Sequence, residues 1–201
     1  MRRIAVRTPL ALPGQRIGVM GGSFNPPHQG HLAVAEAALK KLALDRLWWL
    51  VTPGNPLKAH DGLAALDDRV AACRLLARDR RMVVTAFEAD LGCRYTEATL
   101  TFLKMRFPAV RFVWIMGGDN LATFHTWRGW RRIGESVPIA VVDRPGFRLK
   151  ALVSPMARKY ASARLPEDRA ARLAARQAPA WTYLATRLSP LSSTALRNTR
   201  A

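Results

Sequence analysis

The chain has 201 residues, 49% of them apolar, and its 32 lysines and arginines against 14 acids give a formal charge of +18. That length buries a sizeable core, and no run approaches the ~18 apolar residues that would span a bilayer. The two cysteines, Cys73 and Cys93, are too few for a disulfide framework and lack a metal-ligand spacing, which points to the cytoplasm. Such a charge raises the class of nucleic-acid binders. Yet the arginines are spread among alanines, as at Arg158, Arg164, Arg169, Arg172 and Arg176, with no aromatic–basic alternation, helix-turn-helix or zinc spacing. They read as solvated helix faces, and a nucleic-acid partner is not expected.

Residues 1–15 carry Arg2, Arg3 and Arg7 but neither a long apolar core nor a small-residue cleavage site. The expectation is a flexible basic arm rather than a secretory signal, followed by one domain over residues 16–201. Residues 17–20 are an apolar run that reads as a buried strand, and residues 31–44 place Leu32, Ala35, Leu39 and Leu42 at helical spacing. Between them stands Gly21-Gly22-Ser23-Phe24-Asn25-Pro26-Pro27-His28-Gln29-Gly30-His31. A glycine-rich turn lets backbone N–H groups approach a ligand, and the helix start beyond it favours negative charge. Two histidines at that mouth add donors, and no acid precedes Glu36. The loop is built for phosphate.

Further along, residues 46–53 read as a second strand, 67–77 as an amphipathic helix, 82–87 as a third strand and 96–106 as a helix. A fourth strand at 111–116 ends in Gly117-Gly118-Asp119, a fifth covers 138–142, a helical region covers 164–176, and a sixth strand covers 181–187. Strands alternating with helices predict an α/β fold. It should be a Rossmann-like, doubly wound, mainly parallel sheet of about six strands with helices on both faces. Ligands in such sheets lie over the carboxyl ends of the strands, and each landmark follows a strand.

The spacing Gly-x-Phe-x-Pro-x-His-x-Gly-His, over Gly22 to His31, resembles that of the nucleotidyltransferase superfamily. Together with Leu191-Ser192-Ser193-Thr194-Ala195-Leu196-Arg197 near the other end, the chain resembles the bacterial nicotinate-nucleotide adenylyltransferases over residues 16–199. The resemblance implies transfer of the adenylyl group of ATP to nicotinate mononucleotide, giving nicotinate adenine dinucleotide and pyrophosphate in NAD biosynthesis. It makes His28, His31 and Arg197 the catalytic set. Gly21, Gly22, Ser23, Phe24, Gly30, Lys58, Ser192, Ser193 and Thr194 would bind ATP. Asn25, Tyr95, Thr96, Gly118, Asp119, Trp127 and Arg144 would bind the mononucleotide, with Trp127 against the pyridine and Arg144 near its nicotinate end. Mg²⁺ would arrive on the ATP phosphates, with no metal site of the protein's own. One departure stands out: the family commonly has a second aromatic after the stacking tryptophan, where this chain has Arg128. Nicotinamide mononucleotide or another phosphate acceptor is the alternative within the superfamily, and a basic nucleic-acid-binding protein on the same fold is the alternative outside it. The oligomeric state is left open.

Overall fold

A computed structural model of the chain describes residues 6–54, 62–92 and 95–186. Its strands are β1 (Arg16–Gly22), β2 (Arg46–Val51), β3 (Met82–Thr85), β4 (Arg111–Gly117), β5 (Ile139–Val142), β6 (Arg164–Leu165) and β7 (Trp181–Leu184). They form one sheet in the order β3-β2-β1-β4-β5-β7-β6, with every neighbouring pair parallel. The sheet therefore has seven strands, not about six. The extra one, β6, is two residues long and pairs only with β7, too short for any alternation to reveal.

Strand residues alternate between two apolar cores. Leu47, Trp49 and Val51 join Val113 and Ile115 on one side, where helix α1 (Gln29–Lys41) and helix α2 (Leu66–Leu76) supply Ala35, Leu39 and Val70. Trp48 and Leu50 join Phe112, Trp114 and Met116 on the other. There the helices α3 (Phe87–Leu91), α4 (Thr96–Arg106), α5 (Gly118–Thr123), α6 (Trp130–Ser136), α7 (Arg148–Leu152) and α8 (Pro155–Lys159) pack. A sheet buried on both faces reads as continuous apolar runs, as Leu47-Trp48-Trp49-Leu50-Val51 does.

Several expected boundaries shift for local reasons. Helix α1 starts at Gln29, earlier than its apolar periodicity suggests, because His28 caps it. The expected third strand stops at Thr85, and Phe87 opens a five-residue helix instead. The expected helix at 164–176 is β6 followed by a 3-10 run, Glu167–Ala175. Ala170 and Leu173 are buried three residues apart, which suits a threefold turn, while Arg164, Arg169, Arg172 and Arg176 are exposed. The described part of the basic arm lies against the body. Val6 and Ala11 pack on the second core, and Gly14 N–H donates to the carbonyl of Ala109 at 2.8 Å. Among the described residues no helix is long and apolar enough to cross a membrane.

This order positions the site. The chain winds from β1 outward through β2 and β3, then returns to pair β4 on the opposite edge of β1. The carboxyl ends of β1 and β4 flank the point where the winding reverses, which is where ligands settle in such sheets.

Candidate active site

β1 ends at Gly21-Gly22, the loop beyond it ends at His28, and His31 stands in the first turn of α1. They cap the helix reciprocally. His28 Nδ1 accepts from the Gly30 N–H at 3.1 Å, and His31 Nδ1 accepts from the His28 N–H at 3.3 Å. Each ring therefore presents Nδ1 as an acceptor, which puts the proton of the neutral imidazole on Nε2. The ring centroids are 3.9 Å apart. Two Nε2–H donors are thus held side by side at a helix N-terminus without an acid in its first turn.

His28 is only 5% exposed, and its Nε2 makes no hydrogen bond among the described residues. Burial, helped by the charge of Arg144 and opposed by Asp119, pulls its pKa down to about 4. The ring stays neutral at physiological pH and remains a directed donor. His31 rests edge-on against Phe24 at 4.9 Å, and Phe24 stacks on Trp49 at 5.2 Å. Phe24 has φ +46°, a backbone conformation uncommon for a bulky residue and a mark of local strain.

Three glycines of the site sit close against functional side chains. A Cβ on Gly30 would stand 2.9 Å from both Arg144 Nη1 and His28 Nδ1. One on Gly117 would run into the Asp119 carboxylate and the Arg144 side chain, and one on Gly118 would come within 3.1 Å of the Tyr183 hydroxyl. The Gly-Gly-Asp at the end of β4 thus brings Asp119 and Arg144 together, with Arg144 Nε 3.7 Å from Asp119 Oδ1. Arg144 follows β5, where the Asp143 carboxylate accepts from its N–H at 2.8 Å and from the Tyr183 hydroxyl at 2.6 Å.

The structure therefore gathers Gly21, Gly22, Ser23, Phe24, His28, Gly30 and His31 around the β1–α1 connection, with Asp119 and Arg144 beside His28 and Gly30 and Gly118 at the end of β4. The guanidinium of Arg144, expected at the nicotinate end, lies against Gly30 and His28. Asn25 turns another way: its side chain donates to Gly62 O at 2.9 Å and accepts from Ala64 N–H at 3.2 Å. Lys58, Ser192, Ser193, Thr194 and Arg197 lie outside the described residues.

Tyr95, Thr96 and Trp127, expected at the mononucleotide, stand at the start of α4 and just after a 3-10 turn at Phe124–Thr126. Trp127 is half-buried, with its ring against Phe124 at 5.3 Å and Trp114 at 6.5 Å. Trp130, also half-buried, packs on Phe124 and Tyr160. The Arg128 guanidinium lies 4.6 Å over the ring of Tyr95, so the residue that replaces an aromatic still covers one. Thr96 opens α4. Beneath it, buried Thr99 donates to Glu88 at 2.6 Å, and burial raises the pKa of Glu88.

Sequence reasoning missed Arg69. It lies on α2, is 3% exposed, and donates to the carbonyls of Ser23, Thr52, Pro53 and Ala64. An arginine on an amphipathic helix reads as surface, and only an i-to-i+4 mismatch with the apolar face of α2 could have hinted otherwise.

Comparison with known proteins extends these observations. Residues 19–199 match the model of the family described as cytidylyltransferase-like. A relative from Agrobacterium fabrum named "Probable nicotinate-nucleotide adenylyltransferase" is 57% identical over 182 residues, 90% of this chain and 97% of the relative. A relative of the same name from Rhizobium meliloti is 56% identical over 185 residues, 92% of this chain and 98% of the relative. Among solved structures, a Plasmodium falciparum nicotinic acid mononucleotide adenylyltransferase complexed with NaAD superimposes with a TM-score of 0.70. That alignment covers 92% of this chain and 83% of the other at 15% identity, a likeness of fold.

Proposed function

The chain belongs to the cytidylyltransferase-like family and, within it, to the nicotinate-nucleotide adenylyltransferases, and from that premise we propose how its residues carry out the reaction. It transfers the adenylyl group of ATP to nicotinate mononucleotide, forming nicotinate adenine dinucleotide and pyrophosphate for NAD biosynthesis. A phosphate oxygen of the mononucleotide attacks the α-phosphorus of ATP in line. A new phosphoanhydride bond forms, the bond from the α-phosphorus to the bridging oxygen of the β-phosphate breaks, and pyrophosphate leaves with that electron pair.

The nucleophile needs no general base, because a phosphate monoester with its second pKa near ~6 is already largely dianionic at neutral pH. The barrier is electrostatic: two anions must meet while charge grows on the leaving group. Fixed donors and positioning lower such barriers. In this reading His28 and His31 aim their Nε2–H bonds at the triphosphate, and the N-terminus of α1 adds backbone N–H groups. The neutrality of His28 matters here, since a donor that stays in one protonation state needs no rearrangement as charge develops. Arg144 supplies positive charge to the same phosphates. Lys58, Ser192, Ser193, Thr194 and Arg197 are assigned to the triphosphate by their motifs alone. Mg²⁺, carried in by the ATP phosphates, would shield their charge.

For the acceptor, we assign Trp127 to the pyridine ring, Tyr95 and Thr96 to the mononucleotide wall, and Gly118 and Asp119 to the ribose side. Arg128 over Tyr95 would place a cation near the carboxylate of nicotinate. We assign the reaction to the cytoplasm.

The observation that supports this reading best is the reciprocal capping of His28 and His31 at the reversal of the sheet, in which each Nδ1 accepts a backbone N–H and the proton of the neutral ring falls on Nε2. The test is pyrophosphate release from ATP with nicotinate mononucleotide, nicotinamide mononucleotide and a pantetheine phosphate in parallel. The expected result is release with the first at least ~10-fold more efficient than with the second, a difference of about 1.4 kcal/mol. Equal efficiency with acid and amide would defeat the acceptor assignment.

A further inference from the structure

Arg69 carries a full positive charge into the interior with no carboxylate partner among the described residues. Its guanidinium is instead divided among four carbonyls. Nε donates to Ala64 O at 2.9 Å, Nη1 to Ser23 O at 2.8 Å and Thr52 O at 2.7 Å, and Nη2 to Pro53 O at 3.2 Å. Burying an unpaired charge is costly, and an apolar side chain of like volume would commonly serve stability as well or better. The geometry thus calls for a reason beyond packing.

The four acceptors supply it. Ser23 is in the phosphate loop, Thr52 and Pro53 continue the end of β2, and Ala64 precedes α2. One planar group ties three segments that otherwise meet through few bonds: Thr52 N–H to Gly22 O at 3.0 Å, and Asn25 to Gly62 and Ala64. The Ser23 carbonyl belongs to the peptide joining Ser23 to Phe24. Holding that carbonyl toward Arg69 orients the peptide that leads into the left-handed Phe24, φ +46°. Phe24 is in turn the wall against which the His31 ring rests.

We propose that Arg69 is a positioning residue for adenylyl transfer. By anchoring Ser23 to the end of β2, it holds Phe24 in its strained conformation and so fixes the direction of the His31 donor. Its charge also lies under the loop that meets the triphosphate. The role rests on the function proposed above. A lysine would keep the charge but could not span four carbonyls from one nitrogen.

The test compares Arg69→Lys and Arg69→Gln with the wild-type enzyme, measuring kcat, KM for ATP and KM for nicotinate mononucleotide alongside the folded fraction from thermal unfolding. Arg69→Lys should lose about 30-fold or more in kcat per folded molecule, in line with the effect of a small misplacement of a reacting group, with KM for ATP changed less than about threefold. Arg69→Gln should show the same loss and, lacking the charge, raise KM for ATP as well. Unchanged kcat per folded molecule in either variant would overturn the proposal and leave Arg69 a packing residue. Failure of both variants to fold would also overturn it, because the role would then lie in folding the chain. A wild-type enzyme that releases no pyrophosphate with nicotinate mononucleotide would overturn the function itself, a result distinct from any variant's.

Discussion

The two groups of candidate site residues are held in different ways. On the phosphate side, His28 and His31 are locked to backbone N–H groups, backed by Phe24 and Trp49, and seated at the start of a thirteen-residue helix on the central strand. On the acceptor side, Tyr95 is 36% exposed, Arg128 is exposed, and Trp127 is held by ring contacts. In the proposed function the first group faces the charge that develops during transfer, which is the same for every acceptor, and the second faces the part of the substrate that differs between acceptors. Substitutions in the first should therefore cost rate, and those in the second should cost affinity and choice.

His31→Ala tests that division at its strongest point. Loss of one fixed donor to transition-state charge costs ~2.7–4 kcal/mol, so kcat should fall ~100- to 1000-fold while KM for either substrate moves little. Steady-state kinetics on the folded variant would check it, and near-normal turnover would remove the phosphate loop from the chemistry.

Trp127→Ala should produce the opposite pattern. Aromatic pairing is worth ~0.5–1.5 kcal/mol beyond area burial, so KM for both mononucleotides should rise about threefold to tenfold with KM for ATP unchanged. A fall in kcat alone would mean that the two groups are not separable.

Arg128→Ala should give the smallest change, confined to selectivity. An exposed pairing of a guanidinium with a carboxylate is worth ~0.2–1 kcal/mol, and loss of that cation should narrow the preference for acid over amide by at most about fivefold. Competition between the two mononucleotides in one reaction would measure it. An unchanged ratio would show that the carboxylate is recognised elsewhere.

The turn from β1 into α1 is legible in the sequence because its determinants are local: glycines, two prolines and two histidines within eleven positions, between an apolar strand and a periodic helix. The parallel sheet was legible for the same reason, since each long strand is an apolar run. What escaped depends on contacts across the fold. Arg69 looks like any helix-face arginine until Ser23, Thr52 and Pro53 close around it. That the Arg144 side chain lies against Gly30, Gly117 and His28 likewise depends on β1, β4 and β5 being brought together. The short helices α3 and α5 to α8 and the two-residue β6 span too few residues for a period to show.

His28 is proposed to act as a neutral, directed donor. That role is tested most directly by nitrogen-15 NMR of the imidazoles across pH. His28 should hold its proton on Nε2 and stay neutral until the pH falls to about 4, whereas the unfolded chain takes up that proton near the ordinary value of 6.5. The stability this residue contributes should therefore be complete above pH 6.5 and lost as the pH falls from there toward 4. A His28 ring that titrates near 6.5, or that carries its neutral proton on Nδ1, would contradict the account.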